Sequence, residues 1–174
     1  EKYMNYTRGR GPDQTVFRKI EENNFLVTYI GFHRLRINDL SENGKQPFYS
    51  DDENSLLICN GEIYNHEYLK SKYGIICKGG SDCEVLIHLI NKIGVMETLN
   101  ELDGVFAFIY YNMETETLYM ARDRIGVRPI FYQTDGSHIA VASEAKSLEF
   151  SDISNTRQLK NGYCFSMNSE GYRI

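Results

Sequence analysis

Three glycine-containing polar segments interrupt otherwise apolar stretches of this 174-residue chain. They are Arg10-Gly11-Pro12-Asp13, Asn60-Gly61-Glu62-Ile63-Tyr64-Asn65 and Gly80-Ser81-Asp82-Cys83-Glu84. Each segment puts an arginine, an amide or a carboxylate beside backbone that a ligand can approach closely, because glycine has no β-carbon. This combination is suited to binding a small polar molecule.

The segments between these breaks must position them, and most have the composition of strands. Six are rich in β-branched and aromatic residues and predict strands: 16–19, 25–35, 56–59, 118–121, 130–133 and 139–142. The third ends at Asn60-Gly61, a common hairpin dipeptide, and Asp135-Gly136 predicts a turn between the last two. Residues 104–111 are apolar on both alternating faces, which predicts a strand covered on both sides.

Two helices are also predicted. Residues 66–73 form the first, with Asn65 as its cap and Gly74 as its end. Ser81 and Glu84 have the spacing of a capping box at the start of the second. Its apolar face consists of Val85, Leu86, Leu89, Ile90 and Ile93. These helices, together with the strands, predict an α+β fold in which helices cover stacked sheets.

Composition narrows the function. At 174 residues and 41% hydrophobic, the chain is expected to form one domain. A net charge of -5 disfavours a nucleic-acid partner. The densest basic stretch contains Arg122, Arg124 and Arg128, which we expect to pair with carboxylates such as Asp123 or to face solvent rather than to bind phosphate.

No apolar run approaches the roughly 20 residues of a membrane helix, so we expect no membrane association and a cytoplasmic location. The four cysteines, Cys59, Cys77, Cys83 and Cys164, have no Cys-x-x-Cys spacing and no accompanying histidine cluster. We therefore expect reduced thiols, with neither a metal site nor a disulfide framework.

Seven motifs, taken in order, resemble the class II glutamine amidotransferase domain, specifically the glutaminase half of glutamine-hydrolysing asparagine synthetases. They are Arg10-Gly11-Pro12-Asp13, Gly31-Phe32-His33-Arg34-Leu35, Asn60 to Asn65, Ser81-Asp82-Cys83-Glu84, Leu102-Asp103-Gly104-Val105-Phe106-Ala107-Phe108, Arg122-Asp123 and Ser143-Glu144-Ala145-Lys146. The resemblance implies that residues 1–174 form one amidotransferase domain with the four-layer αββα sandwich of N-terminal-nucleophile hydrolases.

The resemblance also implies roles for single residues. The side-chain amide of Asn60 and the backbone N–H of Gly61 match the oxyanion hole, which stabilises the tetrahedral intermediate. Arg34 matches the residue that binds the substrate α-carboxylate, and Asp82 matches the one that accepts the α-ammonium. The remaining pocket positions are Leu35, Ile37, Asn38 and Glu62.

Without the resemblance, the same residues have ordinary structural interpretations. Asn60-Gly61 would be a hairpin turn and Glu62 an exposed acid beside it. Arg34 would be a surface arginine at a strand end, and Asp82 an aspartate in the first turn of a helix, where the dipole favours it. Arg10-Gly11-Pro12-Asp13 is expected to be a structural turn rather than a ligand site.

Enzymes of this family use a cysteine at the start of the mature chain, because its α-amino group titrates near about 8 and serves as the base for the thiol. The sequence begins Glu1-Lys2-Tyr3. We therefore expect a piece of a longer protein that is inactive without that cysteine. Cys83, in a first helical turn that can lower a thiol pKa, is a better alternative nucleophile than Cys59, but both fit apolar packing better.

The expected partners are L-glutamine and a synthetase domain or subunit that accepts ammonia. No phosphate-binding glycine loop is present, so we expect no cofactor in this domain, with ATP and Mg²⁺ confined to the synthetase domain or partner. A homodimer is left open. Two alternatives also stay open: a catalytically inactive module of the same fold that binds glutamine or acts as a scaffold, and a purely structural role.

Overall fold

The computed structural model describes residues 2–21, 27–36, 41–135, 138–148 and 155–173. The chain divides into two compact units, the first comprising Glu1–Ile37 and Ile130–Gln158 and the second comprising Asn38–Pro129 and Leu159–Ile174. Helices and antiparallel sheets occur together, as predicted for an α+β fold. That the whole chain is one domain stays a prediction.

The described residues contain eleven strands and three α-helices. The strands are β1 (Gln14–Glu21), β2 (Val27–Arg34), β3 (Phe48–Tyr49), β4 (Ser55–Ile63), β5 (Gly104–Asn112), β6 (Thr117–Arg122), β7 (Phe131–Thr134), β8 (Ile139–Ala142), β9 (Arg157–Gln158), β10 (Cys164–Asn168) and β11 (Gly171–Arg173). The helices are α1 (His66–Tyr73), α2 (Val85–Ile93) and α3 (Val95–Glu101).

The first unit contains two antiparallel sheets. In one, β1 pairs with β2 so that Gln14 lies opposite Arg34. In the other, the strand order is β8-β7-β9. The four strands predicted in this unit are confirmed, although β2 ends at Arg34 and the predicted residues 25 and 26 lie outside the described residues. Of the predicted turn at Asp135-Gly136, Gly136 also lies outside them.

The second unit contains a six-stranded antiparallel sheet in the order β11-β10-β6-β5-β4-β3. One face of this sheet packs against the helices, and the shared core includes Phe106 and Phe108 of β5 with Leu86 and Leu89 of α2. Ala107, which points to the opposite face of β5, is also buried. The predicted burial of β5 on both sides is therefore confirmed.

The first predicted helix is confirmed and the second is shifted. α1 ends at Gly74, which has the left-handed φ of 61° expected of a helix-terminating glycine. α2 begins only at Val85, after a 3-10 turn over Asp82–Glu84, and the side chain of Ser81 makes no cap hydrogen bond. The capping box was wrong because the carboxylate of Glu84 binds the preceding loop instead. The short α3 was not predicted.

In the part of the chain that the structure describes, no helix is both long and apolar enough to span a membrane.

Candidate functional site

The predicted end of the third strand at Asn60-Gly61 is wrong, because β4 continues to Ile63. Gly61 lies opposite Phe106 of β5. A Cβ at Gly61 would overlap the carbonyl oxygen of Val105 and come within 2.6 Å of the Phe106 Cα. Glycine is therefore required here for a close approach of two strands, not for a turn.

Gln46 holds the other edge of β4 just before the candidate residues. Its Oε1 accepts the N–H of Cys59 at 2.7 Å, and its Nε2 donates to the carbonyl oxygen of Cys59 at 3.0 Å. Backbone pairing with β3 is confined to Leu56 and Leu57. The Gln46 side chain thus replaces a strand partner at Cys59 and fixes the backbone immediately before Asn60.

Asp82 and its neighbour hold the same edge of β4 beyond Gly61. The Oδ2 of Asp82, a buried carboxylate, accepts the N–H of Ile63 at 2.7 Å. The thiol of Cys83 donates to the carbonyl oxygen of Gly61 at 3.5 Å. Ile63 and Asp82, which are 19 residues apart in sequence, and Gly61 and Cys83, which are 22 apart, are therefore joined directly.

These contacts fix the direction of the Gly61 N–H. The N–H groups of Cys59 and Ile63 point away from β5, toward Gln46 and Asp82. That of Tyr64 points toward β5, where it donates to Asp103. Because backbone groups alternate between the two edges of a strand, the Gly61 N–H points with those of Cys59 and Ile63, beyond the end of β3.

Asn60 and Glu62 project from the other face of the sheet. Leu57, Cys59 and Ile63 belong to the core under the helices. Asn60 and Glu62 alternate with them, so their side chains point to the opposite face, where Asn60 is half-buried and Glu62 is exposed. An amide side chain and a backbone N–H of adjacent residues thus lie at one end of β4.

Asp123 positions the strand that pairs with Gly61. Its carboxylate is buried and accepts the N–H of Phe106 at 3.0 Å. It also accepts the N–H groups of Ile125 at 2.8 Å and Gly126 at 2.6 Å. One carboxylate therefore fixes both the start of β5 and the loop that follows β6.

The arginines of that loop differ from one another. Arg122 departs from the prediction of a carboxylate partner or solvent contact. It is half-buried, and its guanidinium donates to three main-chain carbonyl groups of the described residues, those of Gly126, Arg128 and Leu159. Arg124 is exposed, and Arg128 lies 4.0 Å from the Glu62 carboxylate, as the prediction of solvent contact or carboxylate pairing requires.

In the first unit, the Arg10-Gly11-Pro12-Asp13 segment positions Arg34. The Asp13 N–H donates to the carbonyl oxygen of Arg34 at 3.1 Å, and its Oδ2 accepts the N–H of Arg36 at 2.8 Å. A Cβ at Gly11 would come within 2.6 Å of the Arg34 nitrogen. Arg34 is only 5% exposed, so the interpretation as a surface arginine is wrong.

The internal thiols are poorly suited to act as nucleophiles at neutral pH. A hydrogen bond with Cys59, together with burial, raises the pKa of Cys83 well above its usual value. The dipole of a first helical turn can lower a thiol pKa, but apolar packing was the favoured interpretation of both thiols, and both Cys59 and Cys83 are buried in the core. Burial raises the pKa of Cys77 and that of Cys164 to about 11.

The structure brings Asn60, Gly61, Glu62 and Asp82 together in the second unit. Arg34 and the exposed Leu35 belong to the first unit. Ile37 and Asn38 lie outside the described residues. The sequence did not predict that Gln46 and Asp123 position the site. Asp123 belongs to the Arg122-Asp123 motif but had no predicted role, and no motif or spacing in the sequence marks Gln46.

The chain matches the family model of the glutamine amidotransferase domain over residues 1–168. It is 41% identical over 141 residues to a probable glutamine-hydrolysing asparagine synthetase of Acanthamoeba polyphaga mimivirus and, equally, to the asparagine synthetase of Gallus gallus. Each of these alignments covers 80% of this chain and 25% of the relative. The chain thus spans about a quarter of the length of these curated relatives.

Among solved structures, the chain is similar to the glutamine phosphoribosylpyrophosphate amidotransferase of B. subtilis, with a TM-score of 0.68 and 29% identity. The match covers 83% of this chain and 34% of that one. This similarity confirms the predicted fold, the α+β αββα sandwich of N-terminal-nucleophile hydrolases. By its sequence match, and with the same fold as a glutamine amidotransferase, the chain belongs to the glutamine amidotransferase domain family.

Proposed function

We propose that this chain is the glutaminase domain of a glutamine-hydrolysing asparagine synthetase. In this proposal it hydrolyses glutamine to glutamate and ammonia, and the ammonia passes to an ATP-dependent synthetase domain that makes asparagine from aspartate. The observation that carries the proposal is the direction of the Gly61 N–H, away from β5 and beside the Asn60 amide. The similarity of the chain to glutamine-hydrolysing asparagine synthetases supports a synthetase domain as the acceptor of the ammonia.

The two groups have a defined task in the reaction. A cysteine thiolate attacks the side-chain amide carbon of glutamine, and the carbonyl oxygen becomes an oxyanion. The Gly61 N–H and the Asn60 amide are the donors for that oxyanion, and the main chain that carries both is fixed before the reaction begins. The base that took the proton of the thiol gives it to the leaving nitrogen as the C–N bond breaks, so ammonia departs and a thioester remains. Water then hydrolyses the thioester to glutamate and restores the thiol.

The attacking thiol in this proposal is an N-terminal cysteine, the nucleophile that the family resemblance implies. Its own α-amino group acts as the base, which none of the internal cysteines possesses. The raised pKa values of Cys77, Cys83 and Cys164 argue against those thiols at neutral pH.

Asp82 and Arg34 are proposed to bind the two charged groups of the glutamine backbone. A carboxylate has two oxygens and accepts several donors, so Asp82 can hold the Ile63 N–H and bind the α-ammonium as well. Arg34 is a planar donor that matches the α-carboxylate. Glu62, Leu35, Ile37 and Asn38 remain proposed pocket positions.

The wider properties are proposals too. The domain itself is proposed to need no cofactor, with ATP and Mg²⁺ used by the synthetase part. The four cysteines are unpaired, which fits a cytoplasmic protein. A homodimer stays a prediction, which light scattering on the full-length protein tests.

Glutamine-dependent ammonia release by the full-length protein tests the function. Asn60→Ala removes one oxyanion donor, and we expect kcat to fall about 10²- to 10³-fold with little change in KM. Asn100→Ala, at an exposed position of α3, is the matched control and should leave kcat unchanged. Glutamine binding without ammonia release by the wild-type protein would instead show a binding module, and an unchanged kcat in Asn60→Ala would exclude the assigned oxyanion role.

A further inference from the structure

A second cluster of reactive side chains lies in the second unit, outside the residues assigned to glutamine. The Cys77 sulfur, a carboxylate oxygen of Glu84 and a ring nitrogen of His88 all lie within 4.8 Å of one another. Glu84 and His88 are four residues apart at the start of α2, so they share one helical face. Cys77 comes from the loop that follows α1.

The donor set is one that Zn²⁺ prefers. Zn²⁺ is bound by thiolate, imidazole and carboxylate ligands, commonly with three protein ligands and a water molecule. Metal–ligand distances of about 2.0–2.3 Å place tetrahedral ligand atoms about 3.3–3.8 Å apart. The Nε2 of His88 is already 3.9 Å from the Oε1 of Glu84. Since no two of the ligand atoms are more than 4.8 Å apart, shifts of about 1 Å suffice to bring them to the spacing of a tetrahedral zinc site.

Surrounding groups orient the buried carboxylate. Glu84 accepts the N–H of Lys78 at 2.6 Å and that of Gly79 at 2.8 Å. Outer bonds of this kind fix a ligand carboxylate and sharpen metal binding. They also hold the loop between Cys77 and Asp82 against the start of α2.

Lys70 is a nearby charge that opposes a metal ion. It interacts electrostatically with both Cys77 and Glu84. Its ammonium, however, pairs at 2.9 Å with Glu67, whose side chain is 74% exposed. A flexible lysine tethered to an exposed partner can move toward solvent when a cation binds.

We propose that Cys77, Glu84 and His88 bind one Zn²⁺ ion, with water as the fourth ligand, and that the ion secures the loop leading to Asp82. The sequence predicted no metal because the three ligands are separated by seven and four residues and show no zinc-motif spacing. The site does not depend on glutamine hydrolysis.

Zinc titration of the metal-stripped full-length protein tests this site, with Co²⁺ as a spectroscopic probe. We expect one Zn²⁺ ion to bind per chain through Cys77, Glu84 and His88, and we expect the Co²⁺-loaded protein to show a thiolate-to-cobalt charge-transfer band. Cys77→Ser and His88→Gln should each weaken binding more than about 100-fold, beyond the loss caused by an outer partner. Cys164→Ser is the control, because that thiol is also partly buried, and it should leave affinity unchanged.

Three results would overturn the proposal. They are the absence of the cobalt–thiolate band in the wild-type protein, loss of the band in Cys164→Ser rather than Cys77→Ser, and unchanged zinc affinity in a folded Cys77→Ser or His88→Gln variant. Circular dichroism establishes folding. The wild-type cobalt spectrum needs no variant, so the site can be refuted even if a substitution prevents folding.

Discussion

Replacing Gln46 by methionine should loosen β4 at the residue before the oxyanion pair. The variant keeps the length of the side chain but removes both hydrogen bonds to Cys59, of 2.7 and 3.0 Å. Gln46 is 7% and Cys59 2% exposed, so water cannot readily replace these bonds. Each main-chain group left without a partner costs about 1–3 kcal/mol, or roughly 2–6 kcal/mol for the two.

The more apolar methionine offsets part of this loss, so we expect β4 to be destabilised by about 2–4 kcal/mol. Since about 1.4 kcal/mol corresponds to a tenfold change in an equilibrium constant, local opening should become roughly 30- to 700-fold more frequent. This change is large enough to measure in one segment without unfolding the rest of the protein.

Hydrogen–deuterium exchange with mass spectrometry on the full-length protein measures this opening in peptides that cover residues 55–63. Gln46→Met should accelerate their exchange, whereas Gln158→Met, at an exposed position of β9, should not. The same variant should lower kcat for glutamine hydrolysis, because Asn60 follows Cys59 directly. Wild-type exchange of β4 in a folded Gln46→Met variant would refute the proposed support of this strand.

Two further predictions concern a close contact and an ion pair. Gly61→Ala forces β4 and β5 apart at Val105, so it should destabilise the fold by about 1–3 kcal/mol and abolish glutaminase activity. Gly9→Ala is the control, because its methyl group would meet nothing within 4 Å, and it should change neither stability nor activity. Equal melting temperatures for the two variants would contradict this prediction. Hydrogen bonds from Lys146 and then Arg10 lower the pKa of Glu144 below 4.5. Because the folded pKa is the lower one, this stabilisation is present above pH 4.5 and is lost as the pH falls through the folded pKa. Glu144→Gln should therefore melt slightly below wild type at pH 7, by at most a few degrees for so exposed a pair, and this difference should shrink as the pH falls below 4.5. A difference in melting temperature that does not shrink in acid would exclude the ion pair as its cause.

Local signals predicted the elements whose causes are local. α1 has the predicted bounds because a helix-terminating glycine, Gly74, follows it with a left-handed φ of 61°. Asn65 was expected to cap this helix, but its side chain instead bonds the carbonyl oxygen of Glu101 and the N–H of Asp103. The helix end could be predicted from one residue, whereas the use of Asn65 depends on residues more than 30 positions away.

The Asn60-Gly61 pair shows why sequence alone placed the end of a strand wrongly. Glycine is used both where a turn needs positive φ and where two backbones come close, and the dipeptide does not distinguish these uses. The glycines with positive φ in the described residues are Gly74, Gly94, Gly126, Gly162 and Gly171, so Gly61 is not a turn residue. The family resemblance suggested a role for these residues, whereas the pairing with Phe106 gives the physical reason for the glycine.

Gln46, Asp123 and Arg122 could not be assigned from sequence for another reason. The Gln46 side chain binds a backbone 13 residues away, and the Asp123 carboxylate reaches Phe106 across 17 residues. Arg122 reaches Leu159 across 37 residues. Every residue except proline offers the same main-chain N–H donor and C=O acceptor, whatever its side chain. A side chain that binds main-chain groups therefore leaves no recognisable pattern at the partner positions in the sequence.

The length of β3 links this packing to the chemistry. Phe48 lies opposite Leu57, so the same antiparallel register would place position 46 opposite Cys59 and position 44 opposite Gly61. At position 46 a side chain, not backbone, makes the bonds to Cys59. At position 44 the chain is in the 3-10 turn Glu42–Gly44. If β3 extended back to position 44, its backbone would pair with Gly61 and its carbonyl group would occupy the Gly61 N–H. A short edge strand is therefore a requirement of the proposed oxyanion hole, because it directs a rigid backbone donor toward a ligand rather than toward another strand.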